Sequence, residues 1–161
     1  MIISFELLED FTDELEKKLR ALEKANIQVG WTEDQHYSGM SYADLALLHV
    51  NGVPSKNIPS RNPLGVSYYT FAPSRTFDKE IIKFLTGKGG SVTSVGKQWV
   101  EEFTKHTRSI FGDESKLKTN RPNTKMIKLK AGVDPNAPMI FYGDLKDNLS
   151  YQINNSVGVI L

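Results

Sequence analysis

Apolar residues recur at three- and four-residue spacing across residues 4–24, at Leu7, Leu8, Phe11, Leu15, Leu19 and Leu22. That period predicts an amphipathic helix with a single apolar stripe. Acids crowd its start (Glu6, Glu9, Asp10, Asp13, Glu14) and bases its end (Lys17, Lys18, Arg20, Lys24), the order that complements a helix dipole. The period then changes to two. Ile27, Val29 and Trp31 alternate with polar neighbours and predict a strand over residues 26–31. Residues 32–40 are polar and read as a loop. Ser41-Tyr-Ala-Asp44 is a capping-box variant that opens a short helix through Val50, and Asn51-Gly52 closes it.

The middle of the chain is less periodic. Residues 53–76 are rich in proline and turn formers, and Pro-Ser-Arg occurs twice, at 59–61 and 73–75. This segment is expected to be an extended arm or a β-ribbon, with residues 65–71 the stretch that could hold either. Phe77, Ile81, Ile82 and Leu85 predict a short helix stopped by Gly87. Residues 86–96 (TGKGGSVTSVG) read as a flexible linker. A second long helix carries Val95, Trp99, Phe103, His106 and Ile110 on one stripe and ends at Gly112. Residues 113–136 show no periodicity and are expected to be a flexible basic loop. The stretch 137–153 reads as a turn at Tyr142-Gly143, a short polar helical turn and a strand. Leu149, Tyr151 and Ile153 alternate, Asn154-Asn155-Ser156 supplies a turn, and Val157, Val159 and Leu161 alternate back as a hairpin.

Two long helices, two short ones and a small, mostly antiparallel sheet define an α+β chain. Its 161 residues suit a single domain over residues 1–161. The net charge of +1 calls for no polyanionic partner, but the charge is unevenly spread: residues 1–40 hold nine acids and four bases, the rest ten acids and sixteen bases. Such asymmetry suits head-to-tail contact between subunits or a chance segregation of solvated surface. The absence of cysteine excludes disulfides, Cys-based zinc sites and a thiol nucleophile. No apolar run is long enough to span a bilayer, and the N-terminus has no basic segment of the secretory kind, so folding in a cytoplasm is expected.

Candidate chemistry is sparse. His36, His49 and His106 have no partner histidine at metal-binding spacing, and Asp34 with His36 reads as a solvated pair before it reads as a metal site. The serines lack a nucleophile elbow, and Glu101-Glu102 and Asp113-Glu114 do not form an acid/base pair. The expected protein is not an enzyme and uses no cofactor or metal. Between residues 116 and 130 lie six bases and no acid: Lys116, Lys118, Arg121, Lys125, Lys128 and Lys130. Such a segment suits nucleic-acid phosphate, an acidic protein surface or water alike, while the lack of interleaved aromatics argues against stacking on single-stranded bases.

Several of these segments, taken in order over about residues 27–153, resemble the small tail-completion and neck proteins of tailed double-stranded DNA bacteriophages, the virion morphogenesis family. Val29-Gly30 is similar to the family's strand ending, and Ser41 to Gly52 (SYADLALLHVNG) to its short alanine-rich helix. Both Ile58-Pro59-Ser60-Arg61-Asn62-Pro63-Leu64 and Ala72-Pro73-Ser74-Arg75-Thr76-Phe77 are similar to its Ile-Pro-Ala-Arg-Pro-Phe phrase. Thr124-Lys-Met-Ile-Lys128 and the run from Pro138 to Tyr151 resemble its closing motifs. There Phe141-Tyr142 replace the Asp-Thr before the glycine, and Asn148 replaces a serine.

The resemblance implies a structural virion protein without an active site. It would form a homo-oligomeric ring, commonly a hexamer, at the neck, binding the tail tube on one side and a head connector on the other, with DNA passing through the lumen. A head-side adaptor or stopper bound to the portal complex, and a DNA-binding accessory protein, are the alternatives. Subunit or partner contacts are then expected at Arg61, Arg75, Tyr68, Tyr69, Phe71, Phe141 and Tyr142. The six bases of residues 116–130 are expected to meet DNA or an acidic partner.

Overall fold

The computed structural model describes residues 5–153 and 156–159, with side chains from residue 11 to 153. Helix α1 (Phe5–Glu23) leads into strand β1 (Ile27–Gly30) and helix α2 (Tyr42–Asn51). After a 3-10 turn at Pro54–Lys56 come α3 (Pro63–Thr70), α4 (Arg75–Leu85) and α5 (Val92–Ile110). The chain ends with α6 (Pro122–Lys130), α7 (Asp144–Asp147), β2 (Ser150–Ile153) and β3 (Ser156–Val159). The strands form one antiparallel sheet in the order β1-β2-β3, and the α+β class holds. Ile27 pairs with Ile153 and Gly30 with Ser150, while Ile153 pairs with Ser156 across the hairpin. Asn154 and Asn155 of the expected turn lie outside the described residues.

Helix α5 is the axis of the molecule: α3, α4, β1 and β2 all pack against it. Its buried positions, Val95, Gly96, Val100, Phe103, Thr104, Thr107 and Ile110, trace a stripe wide enough to serve helices on one side and the sheet on the other. The two buried threonine hydroxyls donate back to the carbonyls of Val100 (2.6 Å) and Phe103 (2.9 Å), so neither is left without a partner. At Gly96 the helix comes close to the sheet. A Cβ there would lie 3.4 Å from both Ile27 and Ile153. A second small core gathers Ala46, Phe111 and Leu145 with Trp31, Tyr42, Leu45, Met139 and Ile140, and the Trp31 indole N–H donates to the Leu145 carbonyl at 2.6 Å.

Three expectations are corrected. Residues 65–71 are not a β-ribbon or part of an extended arm, because residues 63–70 are helix α3. Asn62 caps it through its side chain (2.8 Å to the Gly65 N–H), Pro63 sits at the first position, and Ser67 is buried where α3 packs on α5. Tyr68, Tyr69 and Thr70 favour strands in isolation, and this tertiary contact overrides that preference. The expected linker at 86–96 is cut short, since Ser91 and Ser94 form a capping box that starts α5 at Val92. Residues 113–136 are not a flexible loop: α6 lies within them, and two buried cations tie the segment down.

Candidate functional site

The ties begin at Arg61, the arginine of the first Pro-Ser-Arg phrase. It is only 8% exposed. Its Nε donates to the Lys118 carbonyl (2.6 Å), and its Nη2 to the Thr119 carbonyl (2.8 Å) and to Asn120 Oδ1 (3.3 Å). Asn120, itself buried, continues the network by donating through Nδ2 to the carbonyls of Pro135 (2.9 Å) and Ala137 (3.1 Å). The Ala137 carbonyl also accepts from Lys128 Nζ, which donates as well to Ile140 and Asp134. Two cations joined through an asparagine thus bind the backbone of residues 118–120 to that of residues 134–140. Burial lowers both from their ordinary pKa values. For Lys128, Asp134 counters that effect and Arg61 adds to it.

This geometry divides the six bases. Lys128 is 3% exposed and faces inward. Lys125 pairs with Glu114 (3.2 Å) and donates to Asn136 Oδ1 (2.7 Å), and Lys116 lies 3.6 Å from Asp113. Lys118, Arg121 and Lys130 are exposed. With Lys128 turned inward, α6 turns its apolar residues outward: Met126 is 53%, Ile127 59% and Leu129 62% exposed. An ordinary amphipathic helix does the reverse. No hydrophobic period pointed to this surface, because the helix is seated by a lysine and not by an apolar stripe.

The expected interface residues separate in the same way. Tyr68 and Tyr69 are exposed on α3 and pack edge to face at 5.3 Å. Phe71 does not join them; it packs on Trp99, Phe103 and His106 of α5, and so holds α3 to α5. Arg75 is exposed at the start of α4, where Ser74 anchors the helix by donating twice to the Glu102 carboxylate (2.8 and 2.6 Å). Both Pro-Ser-Arg phrases therefore run directly into helices, but only Arg61 is built into the fold.

Phe141 is half-buried, whereas Tyr142 is exposed and faces Tyr37 at 6.4 Å. Beneath Tyr37, the buried His36 accepts the Ser38 backbone N–H at Nδ1 (3.1 Å) and places Nε2 3.6 Å from Asp144. The solvated Asp34–His36 pair read from the sequence is thus corrected. Asp34 accepts from Thr32 (2.6 Å), and His36 faces Asp144 at the start of α7 instead.

Among the described residues no group of three or more His, Asp or Glu side chains is placed to hold a metal ion. None of the described helices is long and apolar enough to cross a membrane. Comparison of the chain with protein-family models, with curated proteins and with solved structures finds no match.

Proposed function

We propose that this protein is a structural component of a phage virion, a ring at the neck that completes or terminates the tail tube and joins it to the head connector. The identity in this reading comes from the ordered sequence resemblance. The two Pro-Ser-Arg phrases that resemble the family's own both precede a helix, and at the first of them a proline occupies the first helical position.

The outward apolar face of α6 carries the assembly half of the reading. Met126, Ile127 and Leu129 lie exposed on a helix anchored through the buried Lys128, flanked by exposed Arg121 and Lys130. Large apolar side chains clustered on a fixed surface and rimmed by charge mark protein interfaces. Exposed Tyr68, Tyr69, Tyr37 and Tyr142 supply further aromatic anchors of the kind that dominate interface energetics. A contact between unlike faces of identical subunits closes into a ring when its rotation allows.

The nucleic-acid reading loses support from the same geometry. Lys116, Lys125 and Lys128 already have protein partners, which leaves Lys118, Arg121 and Lys130 for a polyanion. DNA is therefore read as passing through the lumen without sequence-specific contact. Native mass spectrometry and negative-stain imaging test the proposal. A closed homo-oligomer, with six subunits expected, that co-purifies with tail tubes supports it. A strictly monomeric mass at high concentration, both alone and with tail tubes, overturns it. Co-purification with the portal complex instead would assign the protein to the head side of the neck.

A further inference from the structure

A cavity of about 530 Å³ opens between the end of α2, the segment after the 3-10 turn and the start of α6. His49, Lys56, Arg61, Arg121, Asn123 and Thr124 are among its lining residues, and no carboxylate is. Three basic side chains, Lys56, Arg61 and Arg121, thus share one concave surface.

Two features give that surface a direction. Arg61 is a buried cation without a counter-ion: among the described residues no carboxylate pairs with it, and its acceptors are two carbonyls and an amide oxygen. A buried charge held only by neutral dipoles is costly, and Lys128 nearby adds charge of the same sign. Independently, the nine-residue helix α6 starts in this cavity without a side-chain cap, because its N-cap residue is Arg121. Pro122 has no N–H to offer, but the backbone N–H groups of Asn123 and Thr124 in the first turn are donors that a helix leaves unsatisfied. Every electrostatic element here favours one kind of occupant.

We propose that this cavity binds a single oxyanion of the phosphate class, held by Arg61, Lys56, Arg121 and the first turn of α6. The bound anion neutralises Arg61 and caps α6, so it ties the 56–61 segment to the start of α6, while Asn120 ties Arg61 to residues 135–137. A free phosphate ester and a backbone phosphodiester present the same chemistry. The site is independent of the ring proposed above, since one is read by anion binding and the other by mass.

The test is calorimetric titration of the full chain with inorganic phosphate at constant ionic strength, with chloride as the control anion, alongside the thermal midpoint. Wild-type protein is expected to bind phosphate saturably, with a rising midpoint. The K56Q/R121Q double variant removes two exposed cations and leaves Arg61 in place, so it folds; it is expected to bind about tenfold or more weakly. K79Q/K88Q removes the same charge at two exposed lysines that do not line the cavity and is expected to keep affinity within about twofold. No saturable binding up to ~10 mM, or equal losses in the two double variants, overturns the proposal. A short DNA duplex that displaces the phosphate identifies the source as a phosphodiester. Failure to displace identifies a small free anion, and either result keeps the site.

Discussion

Arg61 Nη2 and Asn120 Oδ1 lie 3.3 Å apart, both residues buried, and through this contact the helix-flanking phrase at residues 59–61 grips a segment nearly sixty positions away. The guanidinium donates from two different nitrogens to two successive carbonyls, an arrangement that a single ammonium cannot reproduce. Arg61→Lys is therefore expected to destabilise the fold by about 3 kcal/mol. Arg75→Lys, at the exposed copy of the same phrase, should stay within about 0.5 kcal/mol of wild type. Urea denaturation of the two variants measures the difference, and equal midpoints would show that the buried network contributes nothing.

Lys128 and its neighbours on α6 predict opposite outcomes. Lys128→Met removes the donor to the Asp134, Ala137 and Ile140 carbonyls; Asn120 still serves Ala137, but the other two lose this partner. A loss of ~2–3 kcal/mol is expected. The double variant M126S/L129S changes only exposed side chains, so thermal unfolding of the monomer should be nearly unaffected while the assembled mass falls to that of a monomer. An M126S/L129S protein that still assembles would place the subunit contact elsewhere.

His49 gives stability a pH dependence. Burial, and secondarily the Arg61 guanidinium, lower its imidazole from the ordinary value, and its buried Nδ1 has no hydrogen-bond partner. Below the ordinary value of about 6.5 the unfolded chain takes up a proton that folded His49 resists. Its contribution is therefore complete above that value and is lost as pH falls toward the lower folded value. His49→Gln should flatten the decline in urea midpoint between about pH 7 and about pH 5. A variant with the wild-type slope would assign the decline to other groups.

Ser67 presents the inverse case. It is fully buried in α3 against α5, and its hydroxyl has no partner. Ser67→Ala removes an unsatisfied polar atom without opening a large cavity, and is expected to raise stability by ~1 kcal/mol. A clear loss in thermal midpoint would mean that the hydroxyl has a partner in solution.

Glu102 accepts from Ser74 and Gln98 and so anchors the start of α4 to α5. Desolvation, the largest single influence, pushes its carboxyl up, but the bonds from Ser74 and Gln98 together hold it below its ordinary value. Its contribution is present above the unfolded glutamate value of about 4.3 and is lost as pH falls through the lower folded value. Glu102→Gln should lower stability at neutral pH and reduce the loss on acidification, measured by the thermal midpoint across that range.

The residues themselves specified several elements whose information is local. Helix α1, strands β1 and β2, the Ser41–Asp44 start of α2 and its stop at Gly52 follow from period and cap chemistry, and the structure contains each of them. The α+β class follows in turn from the order of those elements. Helix α3 escaped this reading because Tyr68, Tyr69 and Thr70 prefer strands, and packing on α5 overrides that preference. Helix α6 escaped because its seat is an ammonium bonded to carbonyls six to twelve residues ahead, a form of burial that leaves no hydrophobic period. The tertiary structure alone decided which base of residues 116–130 faces inward and which apolar residues face out. Hydrogen-bond acceptors for a buried cation come from backbone brought together by the fold, and no spacing along the chain records where they will meet.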